Sequence, residues 1–208
     1  AAHHSESLEA WFMHIPGLYV VMPSTPYDAK GLLKASIRDD NPVIFIEHKV
    51  LYSGVSGPVP TEDYIIPLGV ADIKRPGTDV TIIAYCRMLH FALDAALELE
   101  KLGISAEVVD PRTLAPLDAE TLATSIKKTG RVITVSEGYP RCGAGPEMVR
   151  QACEYKFENG KTGFDYLDAQ PIYLSGKDCP IPMSEPLEDA CVPTRQDIID
   201  AARYLTGK

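Results

Sequence analysis

The sequence predicts an α/β chain built on a mostly parallel sheet and divided into two unequal parts, and three observations predict it. Short apolar runs alternate with stretches of helical period along most of the 208 residues. The runs LYVVMP, PVIFIEH, DVTIIAY and ISAEVVD are apolar nearly throughout rather than at every second position, as in strands covered on both faces. Between positions 51 and 66 the pattern lapses into LYSGVSGPVPTEDYII, which has no period and reads as a linker.

Taken in order, positions 5–14 read as a short helix with Leu8, Trp11 and Phe12 on one face, stopped by Pro16 and Gly17. LYVVMP is a strand. A second helix follows, with Thr25 as its cap, Pro26 at its first position, Asp28 where a capping-box acid falls, and Leu32, Leu33 and Ile37 on its apolar face. RDDNP ends it, and PVIFIEH is a buried strand. After the linker, VADIKR reads as an edge strand and DVTIIAY as a core strand. The helix MLHFALDAALELEKLG is ended by Gly103, and ISAEVVD is the next strand. The helix LDAETLATSIKKTG, the strand RVITVSEG, the helix GPEMVRQACEY and the strand PIYLSG continue the alternation. A helix from Thr194 to Leu205 closes it, with Thr194 as cap and Asp197 three residues on. The later 140 or so residues suffice for a complete α/β domain. The first fifty do not, because two strands and two helices leave a parallel sheet short of partners.

Composition narrows the class. With 45% hydrophobic and 24% charged residues, the chain can bury a core. A net charge of -9 argues against nucleic acid or an anionic membrane as partner and suits docking onto a basic protein surface. The five cysteines, Cys86, Cys142, Cys153, Cys179 and Cys191, are odd in number and show no CxxC spacing, so they suggest neither a disulfide framework nor a zinc site. No apolar run approaches a membrane span and no signal-like segment opens the chain. A cytoplasmic location is expected, or the mitochondrial matrix in a eukaryote.

The stretch HHSESLEAWFMHIPGLYVVMPSTPYDAKGLLKASIRDDNPVIFIEHKVLY, followed by DVTIIAY, GISAEVVDPRTLAPLD, KKTGRVITVSEG and VPTRQDIIDAA, resembles the beta chain of thiamine-diphosphate-dependent 2-oxo acid dehydrogenases, the decarboxylating component of the pyruvate and acetoin dehydrogenase complexes. The resemblance runs from residue 2 to residue 204. It implies that residues 1–50 are the C-terminal part of a pyrimidine-binding domain and residues 67–208 a transketolase C-terminal-like, three-layer α/β domain. PSTPYDAKGLLKASIRDDNP is more like the pyruvate and acetoin types than the branched-chain type. The implied activity is an oxidoreductase subunit's: cleavage of a 2-oxo acid or acetoin with thiamine diphosphate, and transfer of the acyl group to lipoyl on an acyltransferase core.

The resemblance also assigns residues. It implies that His4, before the serine of a His-Ser loop, is catalytic at the active-site entrance, where an imidazole titrating near neutrality can move protons during acyl transfer. His3 stands where relatives often have glutamine and receives no role; His14, His48 and His90 read as structural or solvent-facing. The family's aminopyrimidine glutamate would lie upstream of residue 1, and its diphosphate and magnesium on the separate alpha chain, so this chain alone is expected to be inactive. Backbone carbonyls of Ser36, Ile37, Asp39 and Asn41 match a potassium site of some relatives, at a helix end where unpaired carbonyls converge; an ordinary helix stop is the alternative.

SEGYPRCGAGPEM lacks the G-x-G-x-x-G spacing of a dinucleotide loop and carries Pro146 where an amide would be needed, so it reads as a strand-to-helix turn. DPRTLAPLD also reads as a turn, with Arg112 free to pair with an acid across an interface. The expected partners are an alpha subunit in an alpha-two-beta-two tetramer, a second beta subunit, and the basic subunit-binding domain of a dihydrolipoyl acyltransferase, which Glu185, Glu188, Asp189, Asp197 and Asp200 could face. Two other readings are a non-catalytic docking or oligomerisation module and a free-standing nucleotide or flavin binder, the latter without a supporting loop.

Overall fold

The computed structural model describes residues 4–208, on which the alternation becomes two sheets. The elements of the first part are α1 (Glu9–Met13), β1 (Tyr19–Val21), α2 (Pro26–Arg38), β2 (Val43–Phe45) and the single turn α3 (Leu51–Gly54). Then come β3 (Asp72–Arg75), β4 (Val80–Ala84), α4 (Cys86–Lys101), β5 (Ala106–Asp110), β6 (Thr113–Ala115), α5 (Ala119–Thr129), β7 (Val132–Val135) and α6 (Ala144–Glu154). A 3-10 turn (Gly163–Tyr166), β8 (Ile172–Leu174), α7 (Glu185–Asp189) and α8 (Arg195–Thr206) complete the chain.

The larger sheet has the order β3-β5-β4-β7-β8. Strands β5, β4, β7 and β8 run parallel, and β3 is the antiparallel edge strand that VADIKR suggested. Every residue of β4, β5 and β7 is buried, which accounts for their mostly apolar character; the polar exceptions are Thr81, Glu107, Asp110 and Thr134. Helices α4 and α8 cover one face and α5 and α6 the other, giving three layers. Thr194 and Asp197 cap α8 reciprocally, as their spacing predicts.

The smaller sheet, in the order β2-β1-β6, departs from expectation. DPRTLAPLD is more than a turn: Thr113–Ala115 forms β6 and pairs antiparallel with β1. The later part of the chain thus supplies the neighbour that β1 lacked. A three-residue strand between Pro111 and Pro116 has too little pattern to be read locally. Strand β2, expected to be buried, is a half-buried edge. Helix α1 is also shorter than expected. It buries Glu9 and leaves Trp11 71% exposed, the reverse of its apolar pattern, because Glu9 has a partner in the larger domain.

Residues 55–68 are irregular, yet they pack. Ile66 is buried with Leu32 and Val21, Tyr64 stacks on Tyr27 with ring centroids 4.7 Å apart, and the Ile66 amide donates to the Gly31 carbonyl. Asp28 does not complete a capping box either. Its amide is capped by the Thr25 hydroxyl, but its carboxylate turns to Lys74 and Arg112.

Candidate functional site

The carboxyl ends of parallel strands, where a sheet reverses its direction of winding, are the usual ligand crevice of such folds. Here the first part of the chain fills that place. Beyond β4, the Tyr85 hydroxyl donates to Glu9 Oε1 at 2.7 Å, the Cys86 amide donates to Ser24 Oγ at 2.8 Å, and His90 Nε2 lies 2.8 Å from the Ser24 carbonyl. Beyond β7, Glu137 meets His48 Nε2 at 2.6 Å and Arg87 at 3.2 Å. Burial raises the pKa of Glu9, against the opposing hydrogen bond from Tyr85, and burial together with Glu9 drives the Tyr85 phenol well above its usual range. Glu9 Oε2 is buried without a hydrogen-bond partner.

Between the His-Ser loop with α1 on one side and residues 138–150 on the other lies an open cleft of about 990 Å³. Glu6, Glu9, Trp11, Tyr139, Arg141 and Arg150 are among its walls, so it mixes both charges with aromatic surface. The loop is tied down at its near end: the Ser5 hydroxyl donates to the Glu188 carboxylate and the Tyr139 hydroxyl donates to Glu6 at 3.2 Å. His4 is exposed beside these ties. Gly143 is needed in the opposite wall because a Cβ there would lie 2.3 Å from the Tyr139 carbonyl; close packing, not a phosphate, accounts for it.

A second charged junction joins the two parts. Asp28, fully buried, has Lys74 at 2.6 Å and Arg112 at 2.7 Å, and both cations also reach Asp72 at 2.7 Å. Arg112 therefore does pair with acids across an interface, one within the chain. Burial raises the pKa of the Asp28 carboxyl, but hydrogen bonds from Lys74 and Thr25 and the charges of Lys74 and Arg112 outweigh it and leave the pKa lowered. Asp110 is buried with them and is pushed up to about 7, mainly by burial.

The predicted residues do not converge on one place. Ser36, Ile37, Asp39 and Asn41 sit at the far end of α2, where Ile37 is 75% exposed. Asp39 Oδ1 accepts from the Asn41 amide and side chain at 2.8 Å, and among the described residues none donates a backbone N–H to any of the four carbonyls from beyond the helix. The acids expected to face a partner are largely engaged at home. Glu188 holds Ser5, Asp189 lies 3.9 Å from Arg87, Asp197 caps α8, and Asp200 accepts from Gln196. The residues missed were Glu9, Tyr85, Arg87 and Glu137. Glu9 had one signal: a carboxylate between Leu8 and Phe12 on an otherwise apolar helical face.

Among the described residues, no group of three or more His, Cys, Asp or Glu side chains is placed to hold a metal ion. Nor is any helix among them long and apolar enough to cross a membrane.

Comparison with known proteins agrees with this geometry. The model of the transketolase C-terminal domain matches residues 69–198, and that of the transketolase pyrimidine-binding domain matches residues 1–54. A pyruvate dehydrogenase E1 component subunit beta of Rhizobium meliloti is 46% identical over all of this chain and 44% of its own length. The beta subunit of a Bacillus subtilis acetoin:2,6-dichlorophenolindophenol oxidoreductase is 45% identical over all of this chain and 58% of its own. A 2-oxoisovalerate dehydrogenase subunit beta of the same bacterium is 46% identical over 97% of this chain and 60% of its own, so identity does not separate the substrate types. The chain spans about half the length of the curated relatives it matches. A solved chain described as a split gene transketolase, inactive beta4 tetramer, superposes with a TM-score of 0.74 at 25% identity, over 96% of this chain and 60% of that one. With the larger sheet and the whole of α4, α5 and α6 falling within residues 69–198, more than half of the molecule, the chain belongs to the transketolase C-terminal domain family.

Proposed function

We propose that the chain is the beta-subunit portion of a thiamine-diphosphate-dependent dehydrogenase that cleaves a 2-oxo acid or acetoin and passes the acyl group to lipoyl. In this reading its 1–50 segment is pyrimidine-domain material, 51–66 a connector, and 67–208 the C-terminal domain. The observation that carries the reading is the His-Ser loop, held by Ser5 and Glu6 at the mouth of a cleft large enough for a prosthetic arm. His4 moves a proton or orients the acyl group there, and thiamine diphosphate with magnesium is held mainly by residues outside this chain. The test is a single-turnover comparison in the complete enzyme. His4→Ala should slow acyl transfer to lipoyl at least tenfold and decarboxylation much less; both rates unchanged from the native enzyme would make His4 structural.

Within the same reading, the carbonyls of Ser36, Ile37, Asp39 and Asn41 take a potassium ion. Exchange of potassium for sodium should then lower the unfolding midpoint, and an unchanged midpoint would dismiss the site. The partners are an alpha subunit, a second beta subunit and a basic subunit-binding domain. A second reading, a beta-only oligomer without activity, is favoured by the inactive beta4 tetramer among the structural neighbours; ultracentrifugation of the chain with and without an alpha subunit distinguishes the two.

A further inference from the structure

The segment after β8 leaves the sheet and returns to α8 as a loop with a narrow neck. The Lys177 amide donates to the Cys191 carbonyl at 2.8 Å, the Cys179 amide donates to the Lys177 carbonyl at 2.8 Å, and the Cys191 amide donates to the Glu188 carbonyl at 2.9 Å. These bonds bring two thiols together across the neck, with Sγ atoms 3.8 Å apart. The loop they close carries α7, whose Glu188 accepts from Ser5, next to His4, and whose Asp189 faces Arg87. Outside the neck the loop is weakly held: Met183 is 69% and Leu187 57% exposed.

We propose that Cys179 and Cys191 are a reversible redox pair, a modification site at which a peroxide-class oxidant closes the neck with a disulfide and fixes α7 against the His-Ser loop. Cys179 is exposed and is the attacking thiol; Cys191 is buried, which together with Cys179 itself raises its pKa, and it resolves. In the first step the Cys179 thiolate displaces hydroxide from hydrogen peroxide: an S–O bond forms and the O–O bond breaks. In the second, the Cys191 sulfur attacks the sulfenic acid, an S–S bond forms, the S–O bond breaks and water leaves. Two thiols have lost two electrons, and one peroxide has become two waters. A small dithiol restores both cysteines by exchange. Transient disulfides of this kind are the ones that reducing compartments tolerate.

The sequence makes the test direct. Trypsin cutting after Lys177 and Arg195 releases residues 178–195 as one peptide holding both cysteines and no other, while Cys142 falls in a separate peptide. The full-length chain, in its native assembly, is treated with hydrogen peroxide, its remaining thiols are alkylated, and the digest is weighed without reduction. The expected product is peptide 178–195 unalkylated and lighter by two hydrogen atoms, fully reconverted by dithiothreitol. Cys179→Ser, an exposed and conservative change, should abolish the product while leaving the unfolding midpoint in place. Oxidation of these thiols only to sulfinic acid, a link from either one to Cys142, or full alkylation after peroxide would overturn the proposal. The readout is independent of the dehydrogenase reading, which it neither needs nor tests.

Discussion

Asp110 shows how one residue can carry a pH signature. It ends β5, has no exposed surface, accepts from the Arg112 amide at 2.9 Å through Oδ1, and leaves Oδ2 without a hydrogen bond. Its pKa rises from 3.8 to about 7 on folding, with burial dominant, Lys74 opposing and Asp28 adding a smaller upward push. The folded state therefore binds this proton more tightly than the unfolded one. Stability due to Asp110 is present below its unfolded pKa and lost as pH rises toward 7. Asp28, with its lowered pKa, acts in the opposite sense and loses its contribution as pH falls. Asp110→Asn keeps the acceptor and removes the titration. Urea midpoints should then show the native chain losing on the order of 2 kcal/mol more than the variant between pH 5 and pH 8. Parallel profiles would show that Asp110 stays ionised throughout.

At the scale of elements, α2 illustrates a local rule overridden by packing. Its cap, first-turn proline and stop were legible, but Gly31 in its middle is a poor helix former whose reason lies 35 positions on. A Cβ at Gly31 would lie 2.6 Å from Ile66 Cγ1 and 2.8 Å from the Tyr64 ring. The helix thus has a flat place on which the connector lies. Gly31→Ala, which would gain about 1 kcal/mol in an isolated helix, should instead destabilise by about 1–3 kcal/mol through overpacking. In an Ile66→Ala background the same change should become neutral or favourable. Thermal unfolding of the four proteins decides it: equal effects of Gly31→Ala in both backgrounds would mean that the connector does not bear on α2.

The whole molecule is two parts sharing one boundary. The antiparallel β1–β6 pair, the Asp28–Arg112 ion pair, the Glu9–Tyr85 bond and the Glu137–His48 contact all cross it. These contacts fill the carboxyl ends of the strands with protein. If the proposed function holds, with the cofactor held mainly by residues outside this chain, the chain alone should give no saturable heat when titrated with thiamine diphosphate and magnesium, whereas its complex with the proposed alpha subunit should. A one-site isotherm at micromolar concentration for the isolated chain would contradict this assignment of the cofactor.

The sequence by itself determined the order and type of the longer elements. Caps at Thr25 and Thr194, the left-handed stop Gly103 and the mostly apolar runs of β4 and β5 act over a few residues, so their signal is local. His4 was marked by likeness of motif, not by any local physical signal. Only the tertiary structure decided that Thr113–Ala115 is a strand, that residues 60–68 pack onto Gly31, and that Glu9 is buried while Trp11 is not. It also decided that Glu188 and Asp189 turn inward to Ser5 and Arg87. The physical reason is common to all of these. A three-residue strand, a helical glycine or a buried carboxylate is stable only once a partner tens of residues away has arrived, and the spacing of neighbours along the chain holds no record of that partner.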